Sequence, residues 1–376
     1  MLRGVVREFV ERELIPIERH SQHDGHVPDD ILRPLQERVK AMGLWLLDVP
    51  EEFGGVGLSL LTRCVVHEEV ARSKALPFRS SELFGPNVGP ILYEANSEQK
   101  ERFLYPVLRG EMRVCFAQTE PDAGSDPASM KTRAVREGDT YVLNGTKRFI
   151  TGAGEADFAQ VICVTDPTRG PRGGISCLMV DMRAPGVKLE RQWPIISGDK
   201  PWEISFTDVR VPVPNRIGDE GRGFELGQKW LTIGRIQNHG AKTVGIGQRA
   251  LEMMMDYAQT RVTFGQPLAE RQAVQFMIAD SAIELRAARL LVHETAWLMD
   301  QDRDVRDASY MTKIACTETA TRVVDRAIQV HGGIGLTQEL PLEYWYRELR
   351  SLRITEGTPE VLRWRLARNL MRARGR

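Results

Sequence analysis

The spacing of apolar residues changes twice along this 376-residue chain, and that change limits the folds it can adopt. Over residues 1–112 and 221–376 apolar side chains recur every three or four residues, which predicts helices. Over residues 113–220 short runs alternate between apolar and polar residues, which predicts strands. No long helical segment interrupts those strands, so they favour an antiparallel sheet over a parallel one. We therefore predict an α+β protein with an N-terminal helical domain (1–112), a middle antiparallel β-sandwich or barrel domain (113–220) and a C-terminal four-helix bundle (221–376).

Local signals place several element boundaries in the first region. A helix is predicted over residues 28–42, ended by Gly43, and Ser59 is predicted to cap the helix that follows it. Two further helices are predicted, at 83–95 and 97–109.

The middle region carries one strong turn signal. Asn144 and Gly145 stand between two alternating runs. A two-residue type I′ turn needs positive φ at both central positions, and this residue pair tolerates it well. We therefore predict a hairpin turn there.

Composition excludes several classes of protein. The 51 basic and 51 acidic residues leave no net charge to attract nucleic acid or an anionic membrane. The five cysteines form no CxxC pair and no cluster with histidine, so we predict neither a zinc site nor a disulfide scaffold. The N-terminal segment is charged throughout and no apolar run reaches spanning length, so we predict no signal peptide, no membrane span and a cytoplasmic protein.

A loop dense in turn residues follows the first predicted strand. It reads FAQTEPDAGSD, from Phe116 to Asp126. It could be a plain connector. However, Gly124 and Ser125 would expose backbone amides and a hydroxyl at its tip, a suitable surface for an anionic or carbonyl-rich ligand.

The segment TEGTPEVLR begins the last predicted helix. Thr358 fits the N-cap, Pro359 the first helical position and Glu360 the acidic first turn. This leaves Glu356 without a structural task, beside Gly357, which permits close backbone approach. Glu356 is either a solvated surface charge or a functional carboxylate.

Two glycine patterns are not dinucleotide sites. Gly333-Ile-Gly335 and the run 245–250 follow no predicted strand, which a Rossmann turn requires. His331 is predicted to be a helix C-terminal residue, followed by a glycine in the left-handed conformation. The segment RVTFGQPLAERQ, 261–272, is either a simple turn between helices or a turn whose arginine holds a phosphate.

Taken in order, four of these segments resemble the acyl-CoA dehydrogenase family of flavoproteins. The resemblance runs from PEEFGGVGL to EGTPEVLR and covers nearly the whole chain. It implies FAD as cofactor, an acyl-CoA as substrate, an electron-transfer flavoprotein as electron acceptor and a homotetramer or homodimer. It implies no nucleic-acid partner. The length, branching or ring structure of the acyl group is not readable from the sequence.

The resemblance also implies roles for individual residues. Glu356 matches the family's catalytic base. Some relatives carry the base at positions 232–235 instead, where this chain has no carboxylate. Arg235 matches an arginine behind the active site, and Phe149 replaces a tryptophan that is common in the family. The implied substrate contacts are Ser125, Arg235 and Gly357, and the implied FAD contacts are Phe116, Gln118, Thr119, Gly124, Ser125, Phe149, Ile150, Thr151, Arg261, Thr263, Gln272, Gln329, Gly332, Gly333, Thr358 and Glu360.

The implied reaction removes the α-proton with Glu356 and passes the β-hydride to flavin N5, giving a trans-2-enoyl-CoA. Three alternatives stay open: an acyl-CoA oxidase that uses oxygen, a desulfinase or other branch without dehydrogenation, and a catalytically silent helical scaffold or DNA-associated relative. An intact Glu356 and zero net charge speak against the last.

Overall fold

The computed structural model describes residues 1–20, 27–79 and 81–375, which form two compact units. Unit 1 comprises Met1–Val27, Leu58–Arg79 and Thr232–Arg376, and unit 2 comprises Pro28–Gly57 and Ser80–Leu231. The domain limits drawn above at residues 112 and 220 stay predictions. The helices are α1 Leu2–Phe9, α2 Asp29–Ala41, α3 Leu60–Val70, α4 Ser97–Gln99, α5 Tyr105–Leu108, α6 Gly223–Ile236, α7 Thr243–Thr260, α8 Gln272–Asp300, α9 Arg306–His331, α10 Leu342–Leu352 and α11 Pro359–Arg374.

Unit 2 is built on one eight-stranded sheet with the order β6-β7-β3-β2-β4-β5-β8, and β1 also pairs with β4. Its pairings are antiparallel except for those of β1 and β2 with β4, which are parallel. The predicted α+β class, with a β middle region between helical ends, is confirmed. The strands are β1 Val114–Ala117, β2 Arg133–Glu137, β3 Thr140–Ile150, β4 Phe158–Val164, β5 Ile175–Asp181, β6 Val187–Gln192, β7 Trp202–Pro212 and β8 Arg216–Ile217.

The centre of this sheet is covered on both faces. In β4, Ile162 enters one buried apolar cluster while its neighbours Val161 and Cys163 enter another. In β5, Cys177 enters the same cluster as Ile162, and Leu178 enters the same cluster as Val161. Successive side chains of a strand point to opposite faces, so a strand buried on both sides has a continuous apolar sequence. All five cysteines of the chain are buried free thiols.

The predicted hairpin turn at Asn144 and Gly145 is wrong. Both residues lie inside β3, and the turn between β2 and β3 is at Gly138 and Asp139. Gly145 has φ +146° and stands at a register shift against β7. A Cβ atom there would lie 2.4 Å from the Thr132 hydroxyl oxygen. Gly145 instead permits a β-bulge and the close approach of Thr132, two situations that also favour glycine.

The local helix predictions for unit 2 have mixed outcomes. The helix over 28–42 is confirmed as α2, followed by Gly43 at φ +69°. The helix over 97–109 is also confirmed, with a π-helical turn, Lys100–Leu104, between α4 and α5. The helix over 83–95 is wrong, because only the 3-10 turn Pro90–Glu94 forms there. Gly85 and Gly89 both adopt positive φ, which an α-helix cannot include.

Unit 1 is helical, and its longest helices are α7, α8 and α9. Ser59 caps α3 as predicted, since its hydroxyl accepts a hydrogen bond from the Thr62 N–H. Buried side chains of α7 to α10 form its main apolar cluster, including Met254, Leu285, Val324 and Trp345. Helix α10 was not among the helices predicted from the sequence. Within the described residues, no helix is both long and apolar enough to cross a bilayer.

The close packing of α7 on α3 can be tested at Gly245. It lies buried in α7, and an added Cβ would lie 1.9 Å from the Glu68 carbonyl oxygen of α3. Although alanine favours a helix by about 1 kcal/mol over glycine, we expect Gly245→Ala to destabilise the protein by about 1–3 kcal/mol through overpacking. Thermal unfolding measures this.

Gly4→Ala is the matched control, because Gly4 lies in α1 with no atom within 4 Å of an added Cβ. It should leave the unfolding temperature unchanged or raise it slightly. Equal behaviour of the two variants would contradict the close packing of α7 on α3.

Candidate active site

The candidate site in unit 1 centres on the loop between α10 and α11. Glu356 has φ +56° and is followed by Gly357 at φ +100°. A left-handed conformation at a residue other than glycine costs about 1–2 kcal/mol and needs support from its surroundings. Thr358 ends the loop as the N-cap of α11, because its hydroxyl accepts from the Val361 N–H at 3.4 Å. The predicted N-cap and the first helical position, Pro359, are confirmed.

The carboxylate of Glu356 packs against α6. A Cβ on Gly234 would lie 2.5 Å from Glu356 Oε2 and 2.9 Å from Oε1, so only glycine leaves room for the carboxylate there. Arg235, the next residue, is buried, and its Nε donates to the Glu356 carbonyl oxygen at 2.9 Å. Gly234 thus leaves room for the Glu356 side chain, and Arg235 fixes the Glu356 backbone.

Burial raises the pKa of Glu356 above its ordinary value. The nearby cations of Arg79, Arg235, Lys313 and Lys242 partly offset that rise. The side chain is 17% exposed, and Oε2 has no hydrogen bond to any described residue. Glu356 therefore carries a largely desolvated carboxylate whose Oε2 has no hydrogen bond to any described residue.

Lys313 of α9 donates hydrogen bonds to the backbone of the same loop. Its fully buried ammonium donates to the carbonyl oxygen of Arg353 at 2.9 Å and to that of Gly357 at 2.8 Å. Burial lowers the pKa of Lys313 to about 7, although the negative charge of Glu356 opposes that fall. One lysine thus fixes the backbone on both sides of Glu356.

His239 reaches Glu356 from the π-helical turn Gln237–Lys242, which follows α6. Its Nδ1 lies 3.4 Å from Glu356 Oε2, and its Nε2 lies 3.0 Å from the Thr355 hydroxyl oxygen. That hydroxyl also accepts from Arg79 Nη2 at 2.8 Å. Burial lowers the pKa of His239 well below its ordinary value, so the ring is neutral at pH 7.

In unit 2, a buried ion pair fixes the loop that follows β1. Lys147 Nζ donates to the Gln118 carbonyl oxygen and to Glu120 Oε1, both at 2.9 Å. The backbone N–H groups of Lys131 and Thr132 also donate to the Glu120 carboxylate. Burial alone would raise the pKa of Glu120, but Lys147 and the backbone donors hold it below its ordinary value.

The residues of this loop that were predicted to contact the cofactor differ in exposure. Gln118 is buried and its Oε1 has no hydrogen bond to any described residue, whereas Gly124 and Ser125 are exposed and Thr119 is half-buried. The Phe116 ring stacks on Trp230 with 5.0 Å between the ring centroids.

The residues predicted at the end of β3 lie beside a second tryptophan. Phe149 adopts φ +60°, is 50% exposed and meets the edge of Trp193 at 5.7 Å. Ile150 is buried and Thr151 half-buried. Arg148 and Arg191 lie over the same Trp193 ring. An exposed aromatic surface therefore exists where the family has a tryptophan.

The remaining predicted cofactor contacts lie in unit 1. Arg261 precedes the two-residue strands β9 (Val262–Thr263) and β10 (Gln266–Pro267), and Gln272 begins α8. Gln329 lies in the last turn of α9, with Gly332 and Gly333 just beyond it. These residues are exposed except Thr263, which is half-buried, and their role in cofactor binding stays a prediction.

His331 has the predicted place at the end of α9, since Gly332 follows it at φ +64°. Its ring packs against the chain's own core, with Nδ1 2.7 Å from the Ala327 carbonyl oxygen and the ring stacked on Tyr257 at 4.5 Å.

The structure thus brings four predicted residues of unit 1 together: Arg235, Glu356, Gly357 and Thr358. Sequence reasoning missed Arg79, His239 and Lys313, which complete the cluster. His239 and Lys313 occupy ordinary polar positions in helical sequence, and no local pattern indicates that they face a loop far away in the chain.

Comparison with known proteins identifies related sequences and structures. Family models described as the N-terminal, middle and C-terminal domains of acyl-CoA dehydrogenase match residues 1–111, 115–209 and 221–371. The mitochondrial short-chain specific acyl-CoA dehydrogenase of Rattus norvegicus is 37% identical over 99% of this chain and 90% of its own length. The caffeyl-CoA reductase-Etf complex subunit CarC of Acetobacterium woodii is 37% identical over 96% of this chain and 95% of its own.

A solved structure agrees with these matches. The butyryl-CoA dehydrogenase of Megasphaera elsdenii superposes with a TM-score of 0.84 and is 29% identical, covering 98% of this chain and 97% of its own.

Lys147 provides a test of the loop in unit 2. We expect Lys147→Met to destabilise the protein by about 3–5 kcal/mol, because it leaves the Glu120 carboxylate buried without its counter-ion. The double variant Lys147→Met/Glu120→Gln removes both charges and should recover part of that loss. Chemical unfolding of the three proteins measures the difference, and a double variant less stable than the single one would contradict this account.

Proposed function

Because the chain belongs to the acyl-CoA dehydrogenase family, we propose that it oxidises the Cα–Cβ bond of a short-chain acyl-CoA to a trans-2-enoyl-CoA, with FAD as cofactor and Glu356 as the base. The observation that carries this proposal is the Glu356 carboxylate, whose buried Oε2 has no hydrogen bond to any described residue. By the resemblance described above, Glu356 matches the family's catalytic base.

The environment of Glu356 suits proton abstraction. A base works best when its pKa is near the working pH, and burial moves the pKa of this carboxyl upward in that direction. The surrounding cations keep the ionised form accessible at neutral pH. Positions 232–235 hold no carboxylate, so within this segment nothing competes for the role.

The thioester must also be activated, because its α-proton is too weakly acidic for a carboxylate in water. A hydrogen bond to the thioester carbonyl would stabilise the negative charge that develops on its oxygen. We assign this donor role to the backbone N–H of Glu356. Arg235 and Lys313 fix the carbonyl groups of Glu356 and Gly357, so they would hold that N–H in a constant direction.

The described residues fit a flavin. Gln118 offers a buried side-chain amide oxygen, Oε1, that lacks a hydrogen bond within the described structure, and Ser125 lies exposed on the loop fixed by Lys147. Bound FAD would supply the acceptor for the hydride that leaves Cβ. The residues proposed to hold it are those implied above: Phe116, Gln118, Thr119, Gly124, Ser125, Phe149, Ile150, Thr151, Arg261, Thr263, Gln272, Gln329, Gly332, Gly333, Thr358 and Glu360.

The relatives support a short acyl chain and an electron-transfer flavoprotein as acceptor. One relative is named as short-chain specific, a related structure is a butyryl-CoA dehydrogenase, and CarC is named as a subunit of an Etf complex. The complex to which CarC belongs is named as a caffeyl-CoA reductase-Etf complex, which favours a second candidate function, the reduction of an enoyl-CoA by the same site. We further propose a homotetramer or homodimer.

Replacement of the base tests the proposal. We expect Glu356→Gln to keep a bound flavin spectrum but to slow flavin reduction by butyryl-CoA at least about a hundredfold, because the amide cannot accept the α-proton. Anaerobic stopped-flow absorbance measures the rate.

Glu339→Gln is the matched control, an exposed glutamate on the same unit. It should reduce at the rate of the unchanged protein. Full reduction of the Glu356→Gln flavin would exclude Glu356 as the base.

A substrate panel tests the chain length and the electron acceptor. Butyryl-CoA should bleach the flavin faster than octanoyl-, palmitoyl- or isobutyryl-CoA. The reduced protein should reoxidise rapidly with an electron-transfer flavoprotein and slowly in air. Rapid reoxidation in air would favour the oxidase alternative, and reoxidation by crotonyl-CoA outpacing the forward reaction would favour the reductase.

A further inference from the structure

Three side chains, those of Arg79, Thr355 and His239, form a hydrogen-bonded chain that ends beside Glu356. Arg79 Nη2 donates to the Thr355 hydroxyl oxygen at 2.8 Å, and that oxygen lies 3.0 Å from His239 Nε2. On the other side of the imidazole, Nδ1 lies 3.3 Å from the Gly234 carbonyl oxygen and 3.4 Å from Glu356 Oε2. The mechanism proposed above uses neither Thr355 nor His239.

The partners of the ring decide which nitrogen carries the proton. Nδ1 faces a carbonyl oxygen and a carboxylate oxygen, and both can only accept when Glu356 is ionised. Nε2 faces the Thr355 hydroxyl, which already accepts from Arg79 and can therefore donate its own proton to the ring. The neutral ring is thus held with its proton on Nδ1, directed at Gly234 and Glu356.

We propose that His239 is a positioning residue for the base: it presents its Nδ1–H to the ionised carboxylate of Glu356, and Thr355 and Arg79 fix it in that tautomer. This inference rests on the proposed role of Glu356. In the structure, Nδ1 is hydrogen-bonded to the Gly234 carbonyl oxygen and only approaches Glu356 Oε2, and catalytic hydrogen bonds of this kind commonly tighten when substrate is in place.

Hydrogen bonding and close packing fix the backbone around His239. His239 lies in the π-helical turn Gln237–Lys242, and such turns shift the residues that follow around the helix axis. The Thr243 hydroxyl donates to the His239 carbonyl oxygen at 2.7 Å. A Cβ on Gly240 would lie 3.0 Å from the Thr312 side chain, so the turn also packs closely on α9.

Burial, together with the charges around the ring, holds the pKa of His239 low and keeps the ring neutral. Arg79, Arg235 and Lys313 all oppose protonation of His239, and Lys242 joins them around Glu356. A histidine in this setting does not exchange charge with Glu356. It can only donate a hydrogen bond, which favours the ionised carboxylate and fixes its orientation.

Two substitutions of His239 distinguish the role of Nδ1 from that of Nε2. In His239→Asn the amide nitrogen can occupy the place of Nδ1, whereas in His239→Gln it can occupy the place of Nε2 and leaves Glu356 without the donor. We expect the pH midpoint of flavin reduction by butyryl-CoA to rise by about one unit in His239→Gln, with a rate about tenfold lower below that midpoint. At high pH its rate should approach that of the unchanged protein. His239→Asn should keep the original midpoint.

Thr355 provides a second matched pair. Thr355→Val removes the hydroxyl that fixes the tautomer and should move the midpoint upward, while Thr355→Ser keeps the hydroxyl and should not. The infrared carboxyl band that is lost in Glu356→Gln reports the protonation of Glu356 directly. It should persist to higher pH in His239→Gln than in the unchanged protein.

Other results would overturn the inference. If both His239 variants lower the rate equally at every pH with an unchanged midpoint, His239 serves packing alone. If Glu356→Gln is inactive while His239→Gln shifts neither the midpoint nor the infrared band, the proposed function stands and this inference fails. If Glu356→Gln remains active, the proposed function itself fails.

Discussion

The chemistry proposed for this protein depends on one packing contact, that of the Glu356 carboxylate against Gly234 of α6. Any side chain at position 234 would occupy the space of the carboxylate oxygens. This contact removes the carboxyl from much of the solvent and raises its pKa. The loop that carries this carboxylate has positive φ at both Glu356 and Gly357.

A carboxylate with little solvent around it needs other groups to stabilise its negative charge. In this protein two of the cations that do so are hydrogen-bonded to the backbone of the same loop. Lys313 and Arg235 both donate to loop carbonyl groups, and neither forms a direct ion pair with Glu356 among the contacts found in the described residues. Their charges act on the carboxylate at a distance, so its charge is stabilised while one oxygen stays available. Lys147 and Glu120 in unit 2 show the opposite arrangement, a direct buried pair whose carboxylate is fully engaged. The first arrangement suits a reacting group and the second a structural one.

Part of this organisation could be predicted from local sequence. Alternation of apolar residues identified the strands of the middle region, and capping residues such as Ser59 and Thr358 fixed the starts of two helices. Prediction failed where one residue type serves several purposes. Asn144 and Gly145 mark a bulge instead of a turn. The 83–95 segment was predicted as a helix although it contains two prolines and two glycines, and both glycines adopt positive φ.

The sequence by itself determined the α+β class, the order of the segments and the candidacy of Glu356, because periodicity, capping and short motifs are local properties of a chain. Only the tertiary structure decided what surrounds that glutamate. Arg79 lies in the loop after α3, whereas His239 and Lys313 lie in two separate helical segments, and each is unremarkable in its own sequence context. Their meeting at one loop results from helix packing in unit 1, since long-range contacts depend on how whole elements dock and leave no signature in the residues beside them.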